Sequence, residues 1–221
     1  MKVVIPMKIR NKKLWRVYSS VMVLLLLCAG MGVDRLYLNL PYCFYNNKYE
    51  EFTVDNQIDV IFPIGDSTIW MAQSESNKIK ILNTILCIEE NYLGLSNVSL
   101  IIDDLPQNKG GYYNKKRRTI YLNRYYLDDN QQILKSLLHE VRHSYQVRMC
   151  ELYIKLSPAD RALYAFYDTR AYIDEYQGRY ISPEENHTMY LKQESEIDAY
   201  RYSREAVEEY MSRINGYIYS K

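Results

Sequence analysis

The sequence has no excess of either charge and contains little cysteine and little histidine. Its 28 lysines and arginines are balanced by 27 aspartates and glutamates, so it lacks the basic character of nucleic-acid-binding proteins, and DNA and RNA are excluded as partners. The four cysteines include no C-x-x-C pair, which argues against a disulfide framework and against a cysteine zinc site. Three cysteines follow residue 33, and an odd number cannot all pair internally.

An apolar segment lies near the amino terminus. Five basic residues between positions 8 and 16 precede the uncharged run 17–33, and Asp34 follows it. Seventeen residues are at the short limit for a bilayer span and are long for the apolar region of a signal peptide. Residues 1–33 are therefore predicted to be a signal peptide or an N-terminal membrane anchor.

The flanking charges of this segment predict where the rest of the chain lies. The basic flank places the remainder outside the cytoplasm, because positive residues stay on the cytoplasmic side. We therefore expect a membrane-anchored protein with an extracytoplasmic domain, or a secreted protein. Ala29, Gly30 and Gly32 are small residues of the kind found at a cleavage site. The alternative is a buried core helix, which rarely carries a one-sided basic flank.

The remaining sequence predicts one α+β domain. Residues 34–74 are interpreted as an irregular or short-stranded lead-in, and residues 75–221 as the domain itself. Apolar periodicity predicts a helix from residue 75 to about 93, ending near Gly94. Strands are predicted at 96–103 and 115–123, separated by turn residues 106–111. A second helix is predicted from Asp128 or Asp129 to about 150, and a last helix over about 187–210.

The second helix contains the sequence HEVRH, residues 139–143. Histidines four residues apart lie one turn apart on one helix face, so His139 and His143 can bind one Zn²⁺ ion. Glu140 is then positioned to act on a zinc-activated water as general base and acid. An exposed polar helix face is the alternative interpretation of the same five residues.

A catalytic zinc of this type needs a third protein ligand. Glu194 and Asp198 share a face of the last helix, so Glu194 is a candidate ligand and Asp198 a candidate partner that orients a ligating histidine. His187, the remaining histidine, is the alternative third ligand. Glu194 is preferred because a ligand role for it also gives a role to Asp198, whereas a ligand role for His187 accounts for no other residue.

The two motifs together resemble a known family. An H-E-x-x-H sequence followed on a later helix by E-x-x-x-D-A is similar to the gluzincin zinc metallopeptidases, especially their small minigluzincin-like members. The resemblance covers roughly residues 75–210. It implies a small zincin-like domain with a helix, a short β-sheet or hairpin, the HExxH helix and a C-terminal ligand-bearing helix. It also implies that Glu194 is the third ligand, with Glu196 at a variable position.

The resemblance has further implications and one departure. The strand before the metal helix lines the cleft in this family, so residues 118–122 are the expected edge for pairing with extended substrate. The stretch between His143 and Glu194 is long for the smallest members, and residues 158–180 are interpreted as a cap or as scaffold. The group that stabilises the oxyanion is left open among His187, Tyr190 and the tyrosines between 164 and 180.

The function expected from these features is zinc-dependent endopeptidase activity on a peptide or protein substrate. The N-terminal segment would add a contact with the membrane if it is not cleaved. The alternative is a catalytically inactive zincin-fold module that binds a partner or has a structural role at the cell surface. The basic run 114–118 is interpreted as solvated hairpin charge, with attraction of anionic lipid or substrate as the alternative.

Overall fold

The computed structural model describes residues 52–220, which form a mixed α+β structure that is mostly helical. The predicted segment 1–33 and the first part of the lead-in lie outside these residues. The helices are α1 (Ile58–Ile61), α2 (Ser67–Met71), α3 (Glu75–Leu93), α4 (Asn130–Tyr153), α5 (Thr169–Asp174), α6 (Pro183–Tyr190) and α7 (Glu194–Ser220). The strands are β1 (Ser99–Asp103), β2 (Gly111–Asn114) and β3 (Thr119–Asn123).

Local capping residues define helices α3 and α4. Ser74 caps α3 by accepting a hydrogen bond from Asn77 N, and Gly94 ends it in the left-handed conformation at φ 63°. Asp129 caps α4 by accepting from Gln132 N. Both predicted helices are confirmed, and α4 extends three residues beyond the predicted end.

The described part of the lead-in, residues 52–74, is helical rather than irregular or stranded. It includes α1, α2 and a 3₁₀ turn at Phe62–Gly65. Ile61, Ile64 and Trp70 are completely buried in the same core as α3 and α4, and Trp70 Nε1 donates to the Leu127 carbonyl at 2.9 Å. Burial of these apolar side chains stabilises the short helices, which local propensity alone does not predict.

The sheet has the strand order β1-β3-β2. Strand β3 is central and fully buried, pairing parallel with β1 and antiparallel with β2. The expectation that residues 118–122 form the substrate-pairing edge is therefore wrong, since both sides of β3 are occupied by neighbouring strands. The sheet's two edges are β1 and β2, and the edge that lines the cleft is β2, which begins at the end of the predicted turn.

Helix α7 packs along α4 and carries the acidic residues of the second motif. It begins at Glu194, separate from α6, and continues to Ser220, so the single helix predicted over 187–210 is corrected to two. Tyr202 and Tyr210 of α7 both donate hydrogen bonds to Glu89 of α3, and burial raises the pKa of that carboxyl. These bonds fix the rotation of α7 about its axis relative to the core.

A search of residues 52–220 for membrane spans gave a negative result. No helix in this range combines the length and apolar character that crossing a bilayer requires.

Candidate metal centre

His139 and His143 lie one turn apart on α4, as the sequence predicts. Both imidazoles are largely buried, and their Nε2 atoms are 3.0 Å apart. Two nitrogen lone pairs at this distance repel each other unless a cation lies between them. The pair therefore favours a shared proton or a metal ion.

Glu196 of α7 completes a group that could bind a metal ion. Its Oε2 is 3.3 Å from His139 Nε2, and its Oε1 is 3.4 Å from His143 Nε2. Tetrahedral zinc with bonds of about 2.0–2.1 Å separates its ligands by about 3.3–3.4 Å, which is close to these spacings. We call His139, His143 and Glu196 the His-His-Glu cluster.

The structure places Glu196, and not Glu194, beside the histidines. Apart from Glu196 and Asp198, the buried residues of α7 form a stripe of Ser195, Ala199, Ser203, Tyr210 and Ile214. At 100° per residue, Glu196 lies roughly 45° from the centre of this stripe, and Glu194 lies roughly 155° from it. Glu194 is exposed, and its N–H is bound by Glu175 at 2.7 Å. The predicted third ligand is thus corrected from Glu194 to Glu196.

The chemistry of the cluster fits a divalent cation such as zinc. Two imidazole nitrogens and one carboxylate oxygen are a common donor set for zinc. Glu196 is completely buried, and its Oε2 accepts no hydrogen bond from any residue in the described range. A buried carboxylate oxygen without a hydrogen-bond donor is costly unless a cation compensates it.

The pKa values of the cluster show that its buried carboxylate stabilises positive charge on the histidines. Burial would raise the pKa of the Glu196 carboxyl, but contacts with the two imidazoles outweigh burial and lower it. Burial would lower the pKa of His143, but the hydrogen bond and charge of Glu196 raise it to about 9. A metal ion must therefore displace a proton that this carboxylate stabilises.

Asp198 acts on His143 through an intermediate residue. Its carboxylate accepts hydrogen bonds from Arg142 Nε at 2.6 Å and from Gln146 Nε2 at 2.8 Å. Burial would raise the pKa of Asp198, but the bonds and charge of Arg142 lower it. Gln146 Oε1 in turn lies 2.8 Å from His143 Nδ1. Asp198 therefore reaches the candidate ligand His143 through Gln146 and not by a direct contact.

Gln146 determines which nitrogen of His143 faces the cluster. Its Nε2 contacts the Ser195 carbonyl and the Asp198 carboxylate, both at 2.8 Å. Both groups are acceptors, so the amide nitrogen must lie on that side and Oε1 must face His143. Oε1 can only accept, so Nδ1 of His143 carries a proton and Nε2 presents its lone pair to a metal.

We expect Gln146→Glu to weaken Zn²⁺ binding by about 10–100-fold, the range found for residues that orient metal ligands. The variant has no amide N–H groups for Ser195 and Asp198, and it adds a negative charge beside Asp198. Affinity is measured by competition with a chromophoric chelator. A carboxylate at position 146 can still accept from His143 Nδ1, so long-range ¹H–¹⁵N spectra of the zinc-loaded protein should keep the protonated Nδ1 signal, and the loss of affinity is assigned to the lost amide anchors. Gln131→Glu, at an exposed position of α4, is the control, and equal affinity in the two variants would contradict the role of Gln146.

Glu140 is buried beside the cluster and lines the same cleft. Its position depends on the close approach of β2 to α4. A Cβ atom at Gly111 would lie 3.3 Å from Glu140 Cγ and 2.7 Å from the Tyr121 carbonyl oxygen. At Gly110 a Cβ would lie 2.6 Å from Ser136 Oγ. Two consecutive glycines therefore allow the strand to pack directly against the helix that carries the glutamate.

Several tyrosines from the long intervening segment lie over the cluster. The Tyr180 hydroxyl donates to Glu196 Oε1 at 2.9 Å, and the Tyr176 hydroxyl donates to Gln146 Oε1 at 2.7 Å. Burial, followed by the charge of Glu196, raises the pKa of Tyr180 and of Tyr190. These hydroxyls therefore remain protonated hydrogen-bond donors at neutral pH. Tyr164, in contrast, is 90% exposed.

His187 lines the cleft but does not join the cluster. It is an exposed residue of α6, and its ring centroid lies 6.2 Å from that of Tyr190. The alternative in which His187 serves as third ligand therefore differs from the structure, which brings Glu196 to that position.

The cleft has a volume of about 910 Å³ and is bordered by β2 on one side and by the tyrosine-rich segment on the other. The Gly110 carbonyl accepts from Asn123 N at 2.9 Å. In an antiparallel pair the bonded residues alternate, so the main-chain groups of Tyr112 and Asn114 face β3. Those of Gly111 and Tyr113 point away from the sheet, where an extended peptide could pair with them.

Comparisons with protein-family models, with curated proteins and with solved structures each found no match. The resemblance to the gluzincins is therefore carried by the spacing of His139 and His143, by a nearby glutamate and by the order of the elements. The function is inferred from the geometry of the cluster and of the cleft beside it.

Proposed function

We propose that the protein is a zinc-dependent endopeptidase. The observation that carries the proposal is the convergence of His139, His143 and Glu196 within 4.8 Å of one another, at a cleft that also contains Glu140. The three residues of the cluster would hold the ion. Zinc supplies a positive charge that lowers the pKa of water to about 7 and polarises a carbonyl group.

Other residues of the cleft would bind the substrate, transfer the proton and stabilise negative charge. The edge of β2 would hold an extended substrate through the main-chain groups of Gly111 and Tyr113. Glu140 would take the proton from the attacking water and deliver it to the leaving amine. Tyr180 and Tyr190, protonated and adjacent to Glu196, are hydroxyl donors that could stabilise negative charge on the substrate oxygen.

The proposal is tested with the full-length chain on a mixed peptide library, with products identified by mass spectrometry. Cleavage should be abolished by a chelator and restored by stoichiometric Zn²⁺. The proposal is overturned if the zinc-loaded protein leaves the library intact, or if cleavage persists after complete removal of metal.

A second candidate is a catalytically inactive module that keeps the metal and binds a partner. The observation that favours it is the bond from Tyr180 to Glu196, which holds the tyrosine-rich segment against the cluster. Stoichiometric zinc together with no cleavage of any library peptide would support this function. Localisation outside the cytoplasm and an N-terminal anchor or signal stay predictions for either candidate.

A further inference from the structure

The cleft has a basic rim at both ends of its edge strand. Lys109 precedes β2, Lys115 and Lys116 follow it, and Lys135 lies on the adjoining turn of α4. All four side chains are exposed. We call these four residues the lysine rim.

The rim lysines have no acidic partners, in contrast to two basic residues that lie elsewhere in the fold. Arg142 is paired with Asp198, and Lys78 with Asp128. Within residues 52–220, by contrast, no carboxylate lies within 4 Å of a rim lysine. Lys109 contacts only the face of the Tyr112 ring, at 4.7 Å. These charges are therefore available to a ligand.

The rest of the cleft does little to neutralise the rim. Among the described residues that line it, the acidic ones are Glu140, beside the cluster, and Glu184, on the opposite wall. Four positive charges thus face a lining with few negative ones, although the whole chain is nearly neutral. A cleft lined by one sign of charge concentrates ligands of the opposite sign.

The rim is placed along the path that a paired peptide would follow. Lys109 and Lys115 are six residues apart, a span of at most about 20 Å in extended chain. Gly111 and Tyr113, whose main-chain groups face outward, lie between them. A peptide paired with β2 would therefore pass Glu140 near its middle and pass lysines near both ends.

We propose that the cleft selects acidic peptide segments, namely extended chains with Asp or Glu side chains on both sides of the bond near Glu140. This inference rests on the proposed function for the position of that bond. Recognition itself depends only on the rim and on the strand edge. Water and dissolved salt screen the attraction between exposed lysines and a charged ligand, so the selectivity weakens as ionic strength rises.

Binding is tested separately from cleavage, with the full-length Glu140→Gln variant and three fluorescent decapeptides of matched length. One peptide is acidic, one carries the corresponding amides, and one is basic. Fluorescence anisotropy should show that the acidic peptide binds on the order of tenfold more tightly than the amide peptide at low salt. The difference should shrink at 0.5 M salt. Equal affinity for all three peptides would overturn the proposal.

A matched pair of charge reversals locates the effect. Lys115→Glu with Lys116→Glu should abolish the preference for the acidic peptide. Lys80→Glu with Lys155→Glu makes the same change of net charge at exposed positions outside the cleft and should leave the preference intact. If both double variants lose the preference equally, general electrostatics explains it and the lysine rim does not.

Three further results distinguish the preference for acidic peptides from the proposed endopeptidase activity and from binding to a lipid surface. If the wild-type chain binds acidic peptides selectively but cleaves none, the proposed function fails and the acidic preference stands. If it cleaves basic and neutral peptides as efficiently as acidic ones, the endopeptidase stands and the preference fails. Rim-dependent sedimentation with phosphatidylserine vesicles, without discrimination among the peptides, would assign the lysines to a lipid surface and overturn the peptide proposal.

Discussion

Replacing Glu196 with alanine should remove bound zinc from the protein, whereas replacing Glu194 with alanine should leave zinc bound. Glu196 is completely buried, with its carboxylate 3.3 Å and 3.4 Å from the two Nε2 atoms. The affected group would be a zinc ligand, so the loss of affinity should exceed the roughly 10–100-fold typical of residues that only orient ligands. Zinc content is measured on the full-length chain by elemental mass spectrometry and compared with His143→Ala.

The two glutamates form a matched pair because they lie two residues apart on one helix. Glu194 is exposed, and its contribution to the capping of α7 is made by its backbone N–H, which alanine retains. Zinc retained in Glu196→Ala and lost in Glu194→Ala would restore the sequence-based assignment. No zinc in the folded wild-type chain would show that HEVRH forms a polar helix face without a metal.

Replacing Glu140 with glutamine should leave the zinc content unchanged and reduce kcat by about 10²–10⁴-fold. The substitution preserves the size of the side chain and leaves the His-His-Glu cluster intact, but an amide cannot accept the proton of the attacking water. Glu140 is buried and lines the cleft. Because β2 packs against this side chain at Gly111, keeping its shape also keeps β2 in place. Turnover is measured on a peptide identified in the library screen.

The control for this experiment is Glu208→Gln, which removes a carboxylate from an exposed position of α7. Its kcat should equal that of the wild-type chain. An unchanged kcat in Glu140→Gln would exclude this residue as the base. A parallel loss of zinc would indicate instead that the substitution had disturbed the cluster.

Features encoded by nearby residues could be predicted from the sequence. Apolar periodicity predicts helix α3 with its observed limits, and these limits are local because Ser74 and Gly94 cap their own helix. His139 and His143 meet because a four-residue spacing on any α-helix brings two side chains to one face.

Features determined by distant contacts were missed or misplaced. Strand β2 has only four residues, Gly-Tyr-Tyr-Asn, and it becomes a strand by pairing with β3, so no periodicity marks it. The assignment of Glu194 followed a motif spacing, whereas the orientation of α7 is set by its packing stripe and by the bonds to Glu89. Ser195, Ala199 and Ser203, small residues four apart, were the available signal that Glu196 faces α4.

The width of the cleft depends on how closely the backbone at Gly110 and Gly111 approaches α4. A methyl group at position 111 would crowd both the Tyr121 carbonyl of β3 and the Glu140 side chain of α4, so β2 would have to shift from its place between them. Such a change would leave the His-His-Glu cluster and Glu140 in the sequence. Under the proposed function, a variant with an intact HEVRH motif and an alanine at position 111 would keep its motif and yet hold a substrate too far from Glu140. The glycine at this position would then be as informative about activity as the motif itself.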